Sequence, residues 1–401
     1  MTTKLKTPYY SYKIGELAKG CKLCVKGSKM VMFITGLCPR CCYYCPVSDA
    51  KFRKDVIYAD EWNIGSFDEA IKEAKLIDAE GAGFTGGDPL CRLDRTVSYI
   101  KGLKKEFGPN FHIHLYTSLD LVNEDSLKGI YDAGLDEIRF HLDLDDDKLW
   151  KRLGTALNLD WDVGVEIPVV PGKEMSLKKI ILFLDEINKK SKSKIFLNLN
   201  ELEIADNKVN KLLEMGFKTK DDLSYAVKGS QELALNLLRF ISKNKIKMNV
   251  HYCTATLKDK VQLGNRIKRR AKNVAKNYDE VTKIGTLIRG AVYFSDLKPG
   301  FGYTEKLKNI SEDKKNYYIG KLDKTRKDIQ TDFKINNIEV DEDRLRLLCS
   351  VKDVKKIRDK VNACIFEDVD DKGLSCKKEL VLAVVEEYPT QDKMIIELDF
   401  L

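Results

Sequence analysis

The sequence lacks the long apolar runs of a membrane protein and is poor in proline. Only nine of its 401 residues are proline, and no internal repeat or low-complexity block is present. No apolar run approaches the roughly 18–20 residues needed to cross a bilayer, and the first ten residues lack the apolar block of a secretory signal. With 43% apolar and 33% charged residues, the composition is typical of a globular protein with an ample core. We therefore expect a cytoplasmic protein of two or three units with no membrane contact.

Charge is only weakly biased, whereas cysteine is strongly clustered. Lys and Arg outnumber Asp and Glu by 70 to 62, and the net charge of +8 suits an anionic substrate or nucleic acid but is modest for this length. Six of the eleven cysteines lie within one short stretch, at Cys21, Cys24, Cys38, Cys41, Cys42 and Cys45. Because a cytoplasmic protein keeps its cysteines as thiols, this cluster indicates metal binding or catalysis rather than disulfides.

Two kinds of metal site compete for these cysteines. The first takes Cys38, Cys42 and Cys45 as three ligands of a [4Fe–4S] cluster, which leaves one iron open to a small molecule. The second pairs Cys21 and Cys24 with Cys42 and Cys45 across a 17-residue spacer, which is the four-cysteine pattern of a structural zinc site. Spacing alone leaves both open.

The flanking sequence favours the iron–sulfur site. Residues 29–35 predict a buried strand that runs straight into the loop of Cys38, and active sites of α/β sheets and barrels lie at the C-terminal ends of strands. Tyr43 and Tyr44 supply aromatic surface beside the predicted cluster, and Pro46 ends any helix directly afterwards.

Strands and helices alternate after this loop. Ser66 and Glu69 predict a capping box that opens a helix through about Glu80. Apolar runs predict strands at 29–35, 81–85, 111–116, 137–142, 163–170 and 195–199, and helical periodicity predicts helices at 124–133, 145–157 and 176–190. This alternation predicts an α/β protein whose parallel sheet is joined by crossover helices, and six strands fit an incomplete (βα)6 TIM-like barrel.

The chain divides into four predicted parts. These are an N-terminal segment with Cys-x2-Cys (1–29), the barrel with a further βα extension (30–254), a basic segment and linker (255–334), and a small C-terminal α+β domain (335–401). Residues 201–229 interrupt the alternation. The segment from Lys258 to Lys276 contains eight Lys or Arg residues but only one carboxylate. This excess of positive charge predicts either a solvated helix face or a contact surface for phosphate.

The cysteine triad, the aromatic residue before its last cysteine, and the turn Gly86-Gly87-Asp88-Pro89 together resemble the radical S-adenosylmethionine (SAM) enzymes. Longer stretches, among them FTGGDPL and VQLGNRIKRRAKN, are similar to an archaeal family described as related to the activating enzyme of pyruvate formate-lyase. The resemblance implies a radical SAM barrel with a [4Fe–4S] cluster on Cys38, Cys42 and Cys45, and S-adenosylmethionine on the open iron. It also implies reductive cleavage to a 5′-deoxyadenosyl radical and an electron donor such as ferredoxin or flavodoxin.

The same resemblance suggests cofactor-binding residues. Tyr44 and the turn from Gly86 to Pro89 are expected to contact S-adenosylmethionine, with glycine allowing close approach of the backbone. Asp88 stands where the family has Glu, which leaves open a direct role for its carboxylate. Thr117 and Ser118 do not belong to the motif, and it is their position after the third predicted strand that makes them candidate ribose contacts.

Other candidates come from strand positions. Arg139 and His141 alternate and so share one side of a strand, and Glu166 sits in an apolar strand where it either faces the barrel interior or is costly to bury. These three are the candidate catalytic residues. Cys21 and Cys24 are either ordinary thiols or half of a second metal site, completed by a distant thiol such as Cys91 or Cys253.

We predict a radical SAM enzyme that abstracts hydrogen from a substrate the sequence does not identify. The C-terminal domain and the basic segment favour a large or anionic substrate such as RNA or a protein. A glycyl-radical-enzyme activase is an alternative with the same chemistry. A zinc-stabilised nucleic-acid-binding protein, built on Cys21, Cys24, Cys42 and Cys45, is the alternative from another class.

Overall fold

The computed structural model describes residues 6–191, 194–366 and 380–401, which form two compact units divided between Arg266 and Ile267. The first five residues of the predicted N-terminal segment and residues 367–379 of the predicted C-terminal domain lie outside the described residues. Within the described ranges, no helix is both long enough and apolar enough to cross a membrane.

A ten-stranded sheet organises the first unit. Its strands are β1 (Tyr12–Ile14), β2 (Lys29–Phe33), β3 (Tyr58–Ala59), β4 (Trp62–Asn63), β5 (Gly81–Thr85), β6 (His112–Thr117), β7 (Glu137–Phe140), β8 (Asp162–Val169), β9 (Phe196–Glu201) and β10 (Val250–Cys253). Their order is β1-β10-β9-β8-β7-β6-β5-β2-β3-β4. The seven strands from β10 to β2 are parallel, whereas β1 adds antiparallel to β10. The predicted α/β class with a large parallel sheet is confirmed.

Helices connect these strands. They are α1 (Lys19–Val25), α2 (Phe67–Leu76), α3 (Leu93–Phe107), α4 (Glu124–Asp132), α5 (Leu153–Ala156), α6 (Glu174–Lys190), α7 (Ser230–Lys243) and α8 (Gly264–Val274), the last preceded by a π-helical stretch, Leu257–Leu263. The predicted capping box at Ser66 is confirmed, because its side chain accepts from the Glu69 amide while the Glu69 carboxylate accepts from the Ser66 amide.

One predicted helix is much shorter than expected. Instead of a helix over 145–157, the structure has a 3₁₀ turn at Trp150–Arg152 followed by α5. The Asp143 carboxylate accepts from the amides of Asp145 and Asp146, and these local bonds offer the backbone an alternative to the helix.

The two faces of the sheet differ sharply in chemistry. One face carries apolar side chains such as Met30, Phe84 and Leu115, which belong to the main core together with residues of the surrounding helices. The opposite face carries polar side chains: Lys29, His112, His114, Glu137, Arg139, Asn198 and His251 are buried, and Tyr116, Glu166 and Asn200 are partly buried. Helix α1 lies against this polar face, where the Gly20 amide donates to Glu137 at 3.0 Å.

A side chain at position 20 would displace the groups that meet at this contact. A Cβ there would lie 2.6 Å from Nη2 of Arg139 and 2.9 Å from both Oε1 of Glu137 and Nδ1 of His114. Helix α1 therefore packs with its backbone directly on the polar side chains of β6 and β7.

The second unit is built on an antiparallel sheet. Its strands are β11 (Glu280–Val281), β12 (Leu287–Phe294), β13 (Ile338–Asp341), β14 (Arg346–Cys349), β15 (Leu380–Glu387) and β16 (Ile395–Phe400). They run in the order β13-β14-β12-β15-β16, and β11 also pairs with β12. The helices are α9 (Tyr303–Lys308), α10 (Glu312–Phe333) and α11 (Val351–Phe366).

Residues 255–334 are predicted to include a linker. That prediction is wrong for residues 295–334, because α9 and α10 occupy most of that stretch. One face of α10 is buried, at Tyr318, Leu322, Thr325, Ile329 and Phe333. These positions are three or four residues apart, as a helix requires, but charged residues fill the intervening positions and hide the pattern. The basic segment, Lys258–Lys276, lies mainly in the π-helical stretch and in α8, and most of α8 belongs to the second unit.

A buried charge network holds the second unit together. Arg346 is fully buried and donates to Glu387 at 2.6 Å, Asp341 at 2.9 Å and the Tyr293 hydroxyl at 3.1 Å. Arg289 reaches the other oxygen of Glu387 at 2.9 Å. Buried charges are costly, and they are tolerated here because each guanidinium meets carboxylates at hydrogen-bond distance.

Replacing Arg346 with Leu should strongly destabilise this unit. Glu387 and Asp341 would remain buried without their main partner, so the free energy of unfolding should fall by about 3–5 kcal/mol. Hydrogen exchange of β12 and β14 in the full-length chain measures the loss. The control is Arg358→Leu, which breaks an ion pair with Asp359 that is substantially exposed and should cost about 0–1 kcal/mol. Equal protection of β12 and β14 in both variants would contradict this prediction.

Candidate active site

The loop after β2 carries the cysteine triad. Cys38, Cys42 and Cys45 are free thiols, each partly exposed, on the loop that follows the C-terminal end of a parallel strand. Burial raises the pKa of Cys38 to about 12 and raises the pKa values of Cys42 and Cys45, so without a metal these groups are neutral thiols. In the described ranges, no three His, Cys, Asp or Glu side chains are already arranged around one point. The donor chemistry, three thiols on one short loop, fits a metal cluster with three protein ligands.

The end of β7 supports one side of this loop. Arg40 donates to the His141 carbonyl at 3.1 Å and pairs with Asp143. Tyr44 donates through its hydroxyl to Nε2 of His141 at 3.0 Å, because Nδ1 of that ring donates to the Glu166 carbonyl at 3.2 Å. Burial and the charge of Arg40 lower the pKa of His141 to about 4, so the ring is neutral. His141, a candidate catalytic residue, therefore connects the triad loop to β8.

A second support comes from the segment that interrupts the predicted alternation. The Asn207 side chain donates to the carbonyls of Cys45 and Val47, both at 3.1 Å. The Lys211 amide donates to the Tyr43 carbonyl at 2.7 Å. No periodicity or motif in residues 201–229 indicated this contact, so sequence reasoning missed Asn207.

The glycine turn packs against the start of the same loop. The Gly87 amide donates to the Thr35 carbonyl at 2.8 Å. A Cβ on Gly86 would lie 2.3 Å from the Thr35 carbonyl oxygen, and one on Gly87 would lie 2.3 Å from that of Leu37. Gly86 also has a φ of +145°. The sequence-based reason for these glycines was access for the cofactor, but the structure shows that the chain's own backbone already requires them.

Asp88 joins this turn to the end of β6. Its buried carboxylate accepts from the Leu90 amide at 3.1 Å, the Thr117 hydroxyl at 2.8 Å, and the amide and hydroxyl of Ser118 at 3.0 and 2.7 Å. Burial raises the pKa of Asp88 and these hydrogen bonds oppose the rise. Pro89 begins a 3₁₀ turn, Pro89–Arg92. The hydroxyl hydrogens of Thr117 and Ser118, the candidate ribose contacts, are thus directed at Asp88.

Arg139 lies at the centre of the polar face. It donates to Glu137 through Nε at 2.6 Å, and through Nη1 to the Tyr116 hydroxyl at 2.9 Å and to Glu166 at 2.8 Å. The neighbouring carboxylates and thiol outweigh burial and raise the pKa of Arg139 well above its usual value. The guanidinium is therefore permanently charged.

Glu166 is the second centre of this face. Besides Arg139, it accepts from the side-chain amides of Asn198 at 2.8 Å and Asn200 at 2.9 Å. Burial alone would raise its pKa, but the charge of Arg139 and the two amides lower it. Glu166 is thus an ionised carboxylate with fixed partners, which explains how an acid is tolerated in an apolar strand.

Cys21 also reaches the polar face. Its sulfur accepts from Nη2 of Arg139 at 3.4 Å and from the Asn198 amide at 3.2 Å. Burial raises the pKa of Cys21 to about 12 and also raises that of Cys24. Both residues lie on α1, so these cysteines belong to the helix that packs on the polar face.

The predicted zinc site is not assembled. Cys21 and Cys24 lie on α1, whereas Cys42 and Cys45 lie on the triad loop, and in the described part of the chain no such group of four converges. Cys91 and Cys253 are the distant thiols predicted to complete a second metal site with Cys21 and Cys24. Within the residues that the structure describes, they do not form such a site with that pair either.

The predicted phosphate-contact surface loses part of its charge to internal pairs. Arg266 contacts Asp60 at 2.7 Å, and Lys258 contacts Glu203 at 2.5 Å. Arg270 is buried and donates to the Pro389 carbonyl at 2.6 Å. The exposed cations of the segment are the lysines Lys260, Lys268, Lys272 and Lys276. Arginines that can grip a phosphate with two hydrogen bonds are therefore not the exposed part of this segment.

A parallel α/β sheet with three thiols on a loop at its C-terminal edge is an arrangement that suits a metal-dependent enzyme of the α/β class. Residues 32–167 match the sequence model of the Radical SAM superfamily. A protein of Methanocaldococcus jannaschii named "putative glycyl-radical enzyme activating enzyme" is 45% identical over 302 residues, which cover 72% of this chain and 78% of that protein. The chain belongs to the Radical SAM superfamily and is a radical SAM enzyme.

Its cofactors follow from this membership. The enzyme uses a [4Fe–4S] cluster and S-adenosylmethionine, and its parallel sheet corresponds to the partial TIM-like barrel of the superfamily. The zinc-stabilised nucleic-acid-binding protein considered as an alternative is therefore wrong.

Asp88→Asn should destabilise the cofactor-free protein. The asparagine NH2 group would face an N–H donor of Leu90 or Ser118, so at least one hydrogen bond of the carboxylate would be lost. Loss of a hydrogen bond to a charged group costs about 1.5–3 kcal/mol. Urea denaturation of the cofactor-free chain measures the change in the free energy of unfolding. Asp94→Asn, in the exposed first turn of α3, is the matched control and should change stability little. The prediction is contradicted if both variants unfold at the same urea concentration.

Proposed function

We propose that Cys38, Cys42 and Cys45 hold the [4Fe–4S] cluster and that S-adenosylmethionine and the substrate are received by the polar face beside them. The observation that carries this proposal is the triad of free thiols on a loop braced by β7, the glycine turn and residues 207–211. When bound, the cluster supplies the electron that cleaves S-adenosylmethionine to a 5′-deoxyadenosyl radical, which abstracts a hydrogen atom from the substrate.

The protein groups near the proposed site keep one protonation state. His141 is neutral, and Arg139 and Glu166 are charged and paired. Such groups orient polar parts of a ligand without exchanging protons with it, which suits chemistry in which hydrogen atoms move instead of protons. We assign Arg139 and Glu166 to orientation of the ligands and Tyr44 to contact with S-adenosylmethionine, and we propose the same contact for the turn from Gly86 to Pro89.

Thr117 and Ser118 are proposed to meet the cofactor from the end of β6. Because their hydroxyl hydrogens are directed at Asp88, each would accept a hydrogen bond from a ribose hydroxyl. A ferredoxin or flavodoxin is the proposed electron donor. The barrel, residues 30–254, would carry the chemistry, and residues 335–401 would contribute to substrate recognition.

We propose a protein as the substrate, with a glycyl residue as the position attacked. The name of the relative from M. jannaschii supports this choice over RNA. Arg266 pairs with Asp60, and Arg270 donates to the Pro389 carbonyl. Because these contacts remove two arginines from the surface that would contact phosphate, they also favour a protein over RNA.

Reconstitution under anaerobic conditions tests the ligand assignment. The wild-type chain should bind iron and sulfide and, with dithionite, convert S-adenosylmethionine to 5′-deoxyadenosine. The triple variant of Cys38, Cys42 and Cys45 to Ala should lose both properties, because the cluster then has no protein ligands. The matched control, Cys41→Ala, removes an exposed cysteine of the same loop and should keep both properties. A colourless wild-type protein that holds only zinc would contradict the proposal, as would a triple variant that retains the full iron content.

Deuterium transfer tests the substrate class. Protein extract of the source organism, grown with glycine deuterated at its α-carbon, should yield 5′-deoxyadenosine that carries deuterium, because the abstracted atom ends on the 5′ carbon. Mass spectrometry of the released nucleoside measures the label. Extract from cells grown with deuterated lysine is the control and should give none. Transfer from a deuterated RNA fraction, and none from glycine, would instead establish a nucleic-acid substrate.

A further inference from the structure

The short segment 207–211, which we name the brace, holds the C-terminal half of the triad loop. Three contacts join them: Asn207 to the carbonyls of Cys45 and Val47, the Lys211 amide to the Tyr43 carbonyl, and the Lys208 amide to the Asp49 carboxylate at 3.1 Å. The brace follows β9 by only a few residues, so the loop is tied to a strand far from its own in the sheet order.

Asn207 makes two of these hydrogen bonds and also shapes the brace itself. Its Nδ2 donates to the two loop carbonyls, and its Oδ1 accepts from the amides of Val209 at 3.0 Å and Asn210 at 2.7 Å. The carbonyls can only accept and the amides can only donate, so the partners fix which end of the side-chain amide faces the loop. A single residue thus shapes the brace and grips the loop at once.

The grip falls on the main chain of a proposed cluster ligand. The Cys45 amide donates to the Cys42 carbonyl at 3.0 Å, while the Cys45 carbonyl is held by Asn207. With both peptide groups of Cys45 engaged, its Cα has a defined position from which the thiol projects. Partners that orient metal ligands in this way are typically worth about 10- to 100-fold in metal affinity.

We propose that Asn207 is a positioning residue for the [4Fe–4S] cluster: by holding the Cys45 carbonyl, it fixes the third ligand relative to the other two. The inference rests on the proposed ligand role of Cys45. It assigns to the irregular segment after β9 a direct part in cluster binding and in the electronic properties of the bound cluster. Asn207 itself touches no reacting atom.

Two substitutions distinguish the hydrogen bonds that Asn207 donates to the triad loop from those that it accepts within the brace. Asn207→Asp keeps the oxygen that accepts from Val209 and Asn210 but replaces the donor to Cys45 with a second acceptor. Asn207→Ala removes both functions without adding charge. The control Asn236→Asp makes the same charge change on the exposed face of α7, where the Asn236 side-chain oxygen accepts only from Arg239 among its recorded hydrogen bonds.

The measurements compare the reconstituted proteins. Both Asn207 variants should hold the cluster about 10- to 100-fold more weakly in competition with an iron chelator. They should also show a changed electron paramagnetic resonance spectrum of the reduced cluster and a shifted midpoint potential. Asn236→Asp should match the wild type in all three. A general loss of stability alone would leave the spectrum and potential of the intact fraction unchanged, and that result would overturn the inference.

Hydrogen exchange of the cofactor-free chain keeps the test decisive if a variant loads poorly. The amides of Val209 and Asn210 should lose protection in Asn207→Ala but keep it in Asn207→Asp, while the sheet stays protected in both. Wild-type levels of chelator resistance, spectrum and potential in both Asn207 variants would overturn the inference and leave the ligand assignment intact. If instead the variant Cys45→Ala loads the cluster as the wild type does, the proposed ligand role fails and the inference fails with it.

Discussion

The interior of the first unit depends on the burial of one guanidinium. Arg139 needs acceptors on all sides, and it finds them on β6 at Tyr116, on β7 at Glu137 and on β8 at Glu166. Glu166 in turn uses two asparagines of β9. Loss of Glu137 or Glu166 would remove one of the two charged partners of Arg139, and loss of Tyr116 would leave a buried N–H without that acceptor. The identities of side chains on four adjacent strands and on α1 are therefore set together.

The triad loop differs from this interior, because other elements of the first unit hold it in place. The three cysteines of the loop are partly exposed, and its buried contribution to the main core comes from Tyr44. Support comes from β7 through Arg40 and Tyr44, from the glycine turn through the backbone of Thr35, and from the segment containing Asn207. These three supports act together with the burial of Tyr44 in the main core and the packing of Tyr43 and Cys42 against that core.

The features that were predictable from the sequence are those encoded by neighbours along the chain. The capping box at Ser66, the alternation of strands and helices and the spacing of the triad each depend on residues a few positions apart. The links from Asp88 to Ser118 and from Asn207 to Cys45 join residues 30 and 162 positions apart, and no local pattern encodes them. Helix α10 was missed for another reason: its buried stripe is diluted by lysines, so composition outweighed periodicity.

The packing of α1 on the polar face limits the side from which a ligand can reach that face. Gly20 sits against Arg139, Glu137 and His114 with no room for a further carbon atom, so that end of the interior is plugged. The triad loop stands at the other end, where the parallel strands finish. Under the proposed function, S-adenosylmethionine and the substrate would therefore reach the polar face from the end that carries the triad loop, and the products would leave by the same side.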